Sequence, residues 1–174
     1  MHAKPDLRVF LKWMIARSGS VITAVIRLNK MKYDDASWHS GGEFPPDLPP
    51  EAGATHSGMF LAWAWLNGMA GEDALDEASY FISPLQDRAV TPGAHFLAQC
   101  DGKFVDDDLN DTGNAFAAAY FDFETGDYAM DYESALAGNC ETMYHVPDTW
   151  KSYDTIMPIL DRRFAEWRSK TQSS

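Results

Sequence analysis

Cysteine is nearly missing: Cys100 and Cys140 are the only two in 174 residues. That is too few for a disulfide framework, so the fold must rest on a buried core, and a reducing cytoplasm is the expected compartment. Basic charge is scarce too. Fourteen Lys and Arg stand against 26 Asp and Glu, a formal net charge of −12. Phosphate neutralisation needs the opposite balance, so nucleic acid is not an expected partner. No run of 18 or more uncharged apolar residues occurs, which argues against a transmembrane helix. G-x-G-x-x-G, P-loop, H-E-x-x-H, C-x-x-C and G-x-S-x-G patterns are all lacking. Nucleotide binding, the common zinc motifs and a nucleophile elbow are therefore unsupported. Long polar–apolar alternation is missing as well, which leaves little room for a large sheet.

What is present is 45% hydrophobic and 13% aromatic, enough for one folded domain. The charge is unevenly spread. Residues 1–30 carry Lys4, Arg8, Lys12, Arg17, Arg27 and Lys30 against Asp6, a net of +5, and residues 31–174 carry a net of −17. Arg17 with Ser18-Gly19-Ser20 splits the apolar stretch that a secretory signal would need. Two readings of residues 1–30 stay open: a basic amphipathic helix, or sequence upstream of a natural start at Met31. The division expected is thus a basic N-terminal extension, 1–30, and an acidic globular domain, 31–174.

Helix signals dominate the acidic part. Met59–Leu66 is apolar on every face, the mark of a central buried helix, here about 55–68. Residues 72–83 read as one amphipathic helix stopped near Pro84. Thr91 as cap, Pro92 as first helical residue and Gly102 beyond the end bracket another. An acidic turn feeds an Ala- and aromatic-rich helix that Thr125-Gly126 breaks, and a further helix stops at Gly138. Trp150, Tyr153, Met157, Leu160, Phe164 and Trp167 form an apolar stripe at spacings of 3 and 4, with Pro158 as an expected kink or break. The fold expected is mainly α, five to seven helices around the central one, with at most a minor β-hairpin. Pro45-Pro46 and Pro49-Pro50 make residues 32–50 a stiff, non-helical loop.

Candidate chemistry is sparse. His39 and Glu43 are four apart, but Gly41-Gly42 between them removes the helix that would align them. His56 and His95 sit at helix starts, where a hydrogen-bonded structural histidine is the ordinary role. Asp108, Asn110, Thr112 and Gly113 match the opening of a calcium loop, yet its twelfth position is Ala119 where a bidentate Glu belongs. Cys140 and His145 lie close in sequence without a third orienting group. No catalytic residue, metal ligand or cofactor is assigned on this basis. The partner-facing candidates are Asp34, Asp35, Trp38, His39, Asp106, Asp107 and Asp108, aromatic and acidic groups suited to a basic partner. Trp38 has a competing expectation, that it folds back onto the core.

Three blocks, "MKYDDASWHSGGEFPPDLPPEAGATHSGMFLAWAWLNGMAG", "DLNDTGNAFAAAY" and "YHVPDTWKSYDTIMPILDRRFAEW", resemble an uncharacterised family of small acidic bacterial proteins that begin at the equivalent of Met31. The resemblance spans about residues 31–170 and implies relatives, not an activity. The function expected from the residues is a cytoplasmic interaction protein, most concretely an immunity protein neutralising a basic toxin or effector. The alternative is an enzyme with an unrecognised site around His39, His56 and nearby carboxylates.

Overall fold

The computed structural model describes residues 31–41, 44–121 and 126–172. The N-terminal extension expected over 1–30, and with it the choice between its two readings, lies outside the described residues, as does Glu43. The remainder is mainly α with one two-stranded antiparallel hairpin. Strand β1 is Lys32–Asp35 and is followed at once by the one-turn helix α1, Ala36–His39. A 3-10 turn, Pro50–Ala54, leads into α2, Thr55–Leu66. Short helices α3 (Glu72–Asp76), α4 (Ala78–Phe81) and α5 (Ser83–Gln86) precede α6, Pro92–Cys100. Strand β2, Lys103–Val105, returns to pair with β1. Then follow α7 (Asp111–Tyr120), α8 (Tyr128–Tyr132), which widens into a π turn over Glu133–Ala137, and α9 (Trp150–Thr171).

Helix α2 is the axis of the core: every residue from Thr55 to Trp65 is buried. Phe60 makes ring contacts with Trp63, Phe104, Phe116, Tyr120, Phe121 and Tyr128 at centroid distances of 4.8–6.4 Å. Aromatic groups thus supply much of the apolar area that holds these helices together. α6 lies almost against the α2 backbone, because Gly58 has no side chain; a Cβ there would stand 2.7 Å from the Gly93 Cα and the Pro92 carbonyl oxygen. This close approach seats the first turn of α2 firmly, and that turn carries His56 and Ser57. Of the apolar stripe on α9, Tyr153 and Leu160 are buried in the core beside Ile156; Trp150, Met157, Phe164 and Trp167 pack partly buried against it, and Pro158 leaves the helix unbroken.

Several local expectations need correction. Residues 72–83 form two short helices rather than one, and Pro84 opens the next helix instead of ending the previous one, as its preset φ permits in a first turn. The Thr91 side chain does not cap α6. Asp148, from the loop before α9, accepts from the Gly93 and Ala94 N–H groups at 2.9 and 3.0 Å, so the cap arrives from 55 residues away. Residues 36–39 are helical within a stretch expected to be non-helical, because Asp35 accepts from the Ser37 N–H at 3.0 Å and nucleates the turn.

Candidate functional site

The site begins with an irregularity in the hairpin. Lys32 faces Val105 and Asp34 faces Phe104, so Tyr33 is an extra residue on β1, a β-bulge. Tyr33 rests on Phe104 with centroids 4.9 Å apart and donates its hydroxyl to Asn114 Oδ1 at 2.9 Å. The bulge interrupts the alternation of the strand, and both Asp34 and Asp35 end up buried. Asp35 is consumed by structure: besides capping α1 it pairs with Lys32 Nζ at 2.8 Å. Asp34, wholly shielded from solvent, is the centre of a polar cluster.

Asp34 Oδ1 lies 2.8 Å from His39 Nε2, and its Oδ2 lies 3.1 Å from His56 Nε2. Ser57 donates its hydroxyl to the same Oδ2 in a short hydrogen bond. The two imidazole rings meet edge to face with centroids 4.7 Å apart. Burial pushes the Asp34 carboxyl up, but the hydrogen bonds from His39, His56 and Ser57 outweigh it and hold the group well below the usual carboxylate range. His56 moves the other way: burial lowers its pKa more than the Asp34 carboxylate raises it, which keeps the imidazole neutral at pH 7. A buried anion shared by two imidazoles and a hydroxyl is costly to assemble unless every bond is made. Here each carboxylate oxygen is engaged.

His39 is the member of the cluster that reaches the surface. Its Nδ1 lies 3.0 Å from the Tyr144 hydroxyl, and both side chains line a cleft of about 450 Å³ together with Trp38, Gly41, Phe44, Glu133, Glu141, Thr142 and Met143. Phe44 and Tyr144 pack at 5.0 Å. Burial raises the Tyr144 pKa, with the Asp34 and Glu133 carboxylates adding to the effect, so the phenol stays protonated and serves as donor or acceptor. Glu133 is the first residue of the π turn, a distortion that recurs at functional sites. Beneath the cluster, the Tyr132 ring approaches His56 to 6.1 Å, and its buried hydroxyl has no hydrogen-bond partner among the described residues.

The family described as "Domain of unknown function (DUF7832)" matches residues 32–146. The chain belongs to this family. The DUF7832 match takes in β1, α1, α2 and the turn carrying Tyr144, so the whole cluster lies inside it, whereas α9 lies beyond it. No curated protein and no solved structure matches the chain.

Within the DUF7832 domain the residues singled out from the sequence are dispersed. Asp34 and His39 join one site, and His56, 17 positions further along at the start of α2, joins them. Asp34 and Asp35 are buried and bonded inward, so their carboxylates are not offered to a docking partner. Trp38 does not fold back onto the core; it is 59% exposed at the cleft rim. Asp106, Asp107 and Asp108 form a 3-10 turn at the far end of the hairpin, where Asp108 accepts from the Val105 N–H and Asn110, not an acid, caps α7. His145 is held by Thr142 and Asp47, and His95 bonds the Phe81 carbonyl, a structural role. Ser57 is fully buried and donates to Asp34 rather than to an imidazole, which does not make a serine nucleophile. Tyr144, Glu133 and Glu141 are the site residues that sequence reasoning missed.

For a cation, Asp34, His39 and His56 are the donors to consider: one ligand atom from each lies within 4.8 Å of the others. No helix among the described residues is long and apolar enough to cross a membrane.

Proposed function

We propose that this chain is an enzyme whose reaction centre is the Asp34–His39–His56 cluster and whose substrate enters the cleft beside it. One observation carries the reading. A wholly buried carboxylate holds Nε2 of His39 at 2.8 Å and leaves Nδ1 turned to the cleft, against a phenol at 3.0 Å. The carboxylate selects the tautomer and orientation of the imidazole, the arrangement by which a buried acid prepares a histidine for proton transfer. His39 is the group that meets substrate. Asp34 and His56 position it, and Tyr144 supplies a second hydroxyl at the same point. A purely structural role for the aspartate would leave the second ring nitrogen free to be anywhere; its placement on the cleft wall favours chemistry.

The test is a metabolite extract incubated with wild type and with His39→Gln, followed by mass spectrometry. Conversion of at least one metabolite by wild type is expected, slowed about 10²–10⁴-fold in the variant, the usual contribution of a positioned acid–base group. Equal conversion by the two proteins, or none by either, counts against the reading.

A second reading, an interaction protein that neutralises a basic toxin or effector, is favoured by a separate surface. On α3 and α4, Leu75 and Tyr80 are 52% and 58% exposed. Glu72, Asp73, Asp76 and Glu77 flank Leu75, precede Tyr80 and are exposed as well. An apolar anchor among carboxylates suits a cationic partner surface. If a basic protein co-purifies with the full chain in equal amount, Tyr80→Ala is expected to weaken that complex at least about tenfold, and added salt to weaken it further. A complex indifferent to both would place the contact elsewhere.

A further inference from the structure

We infer that Asp34, His39 and His56 together bind one divalent transition-metal ion. The inference rests on the reading of this cluster as the reaction centre; with an ion bound, His39 Nε2 ligates it in place of donating to Asp34, and His39 serves there as a ligand rather than as the proton-transfer group.

Three observations converge. First, the donor atoms are gathered closely enough to be drawn onto one ion. Bonds of about 2.0–2.2 Å to nitrogen and oxygen place neighbouring ligands about 3.0–3.5 Å apart. His39 Nε2 lies 2.8 Å from Asp34 Oδ1 and His56 Nε2 lies 3.1 Å from Asp34 Oδ2, while one ligand atom from each residue lies within 4.8 Å of the others. An ion bound here would replace the hydrogen bonds between the two rings and the carboxylate, so the rings must turn to aim both nitrogens at one point.

Second, the surrounding bonds are those that ligands need. A ligating histidine normally engages its other ring nitrogen, and His39 Nδ1 meets the Tyr144 hydroxyl at 3.0 Å. With the ion on Nε2, Nδ1 carries the proton and donates to the phenol oxygen, which accepts as readily as it donates. The Ser57 hydroxyl on Asp34 Oδ2 orients the carboxylate in the same way.

Third, the residues sit on elements that hold them. Asp34 follows a bulge clamped by Phe104, and His56 lies in the first turn of α2 where Gly58 meets α6. Asp34 and His56 are nine-tenths buried or more, so a site built here is dry and preorganised.

Two imidazoles and one carboxylate form a donor set suited to zinc, iron, manganese, cobalt or nickel rather than to calcium or magnesium, which prefer oxygen throughout. The three side chains leave at least one position of a four-coordinate ion for a further ligand, as catalytic sites do.

The test uses the full chain, stripped with chelator and titrated calorimetrically with zinc chloride. One equivalent is expected to bind, with affinity falling at least 100-fold in His39→Gln and about 10-fold in Tyr144→Phe, while Asp107→Asn binds as wild type. His56 is buried and its substitution risks the fold, so cobalt chloride provides an independent readout on the unaltered chain. One equivalent is expected to give visible absorption typical of mixed nitrogen and oxygen ligation, displaced by zinc. No binding, or binding that His39→Gln and Tyr144→Phe leave unchanged, overturns the metal site. Absent binding combined with slowed turnover in His39→Gln would overturn the metal and keep the reaction centre. Stoichiometric metal lost in His39→Gln, with no turnover by any form, would confirm the metal and remove the enzyme reading.

Discussion

Asp34→Asn is expected to cost about 3 kcal/mol of folding stability, the upper part of the range for leaving buried hydrogen-bonding groups unsatisfied. For a domain of this size the melting temperature would fall on the order of 10 °C. The amide has nearly the shape of the carboxylate, so packing is not the cause. Three groups converge on the two carboxylate oxygens: His39 Nε2, His56 Nε2 and the Ser57 hydroxyl. An asparagine keeps one acceptor and replaces the other with an NH2 donor, so either an N–H or O–H faces another donor in a site without solvent, or an imidazole must give up its tautomer to accept. The negative charge that both imidazoles face is lost as well. Urea unfolding of the variant beside wild type measures the effect. A loss below about 1 kcal/mol would mean that water reaches the cluster and repairs it.

Phe60→Ala should be comparably severe, about 3–5 kcal/mol, for a different reason. Phe60 is wholly buried in the middle of α2, and six aromatic rings lie within 6.4 Å of it. Rings cannot slide into the space as flexible aliphatic chains do, and the neighbours come from α2, β2, α7, the residue after α7, and α8. The deleted side chain therefore leaves a cavity bounded by several elements, and its cost adds to the lost transfer energy. Denaturant unfolding again gives the number. A loss under about 1.5 kcal/mol would show that these elements collapse onto the gap, which is incompatible with Phe60 as the hub of a closely packed core.

Much of this architecture was visible in the residues themselves. The all-round apolar run of α2, the stripe of α9 and the Pro92-to-Gly102 punctuation of α6 are local signals, and the helices appear where those signals place them. What failed were features decided at long range. Asp34 and Asp35 read as surface carboxylates because "KYDD" is polar and short, and only pairing with β2, some 70 residues later, with a bulge at Tyr33, turns them inward. The α6 cap comes from Asp148 for the same reason. Pro84 was misread because a proline that stops one helix is equally suited to the first turn of the next.

The site was half legible. His39, His56 and nearby carboxylates could be named as one candidate group, since a proline-stiffened loop joins them. Which carboxylate completes the group could not be named, and Tyr144 could not be found, because it lies 105 residues from His39 with no motif around it. The sequence carries the residues of the cluster; only the fold selects among them.

The central claim, that this cluster is a reaction centre and not merely a polar brace between β1 and α2, is tested most directly by the turnover of His39→Gln per folded molecule. Thermal unfolding of the variant supplies the folded fraction, and the metabolite converted most rapidly by wild type supplies the substrate. His39 is partly exposed and Gln retains hydrogen-bonding capacity, so the predicted result is a variant that remains folded at the assay temperature while turnover falls by about 10²-fold or more. Turnover that falls only in step with the folded fraction would contradict the account and leave Asp34, His39 and His56 as structure alone.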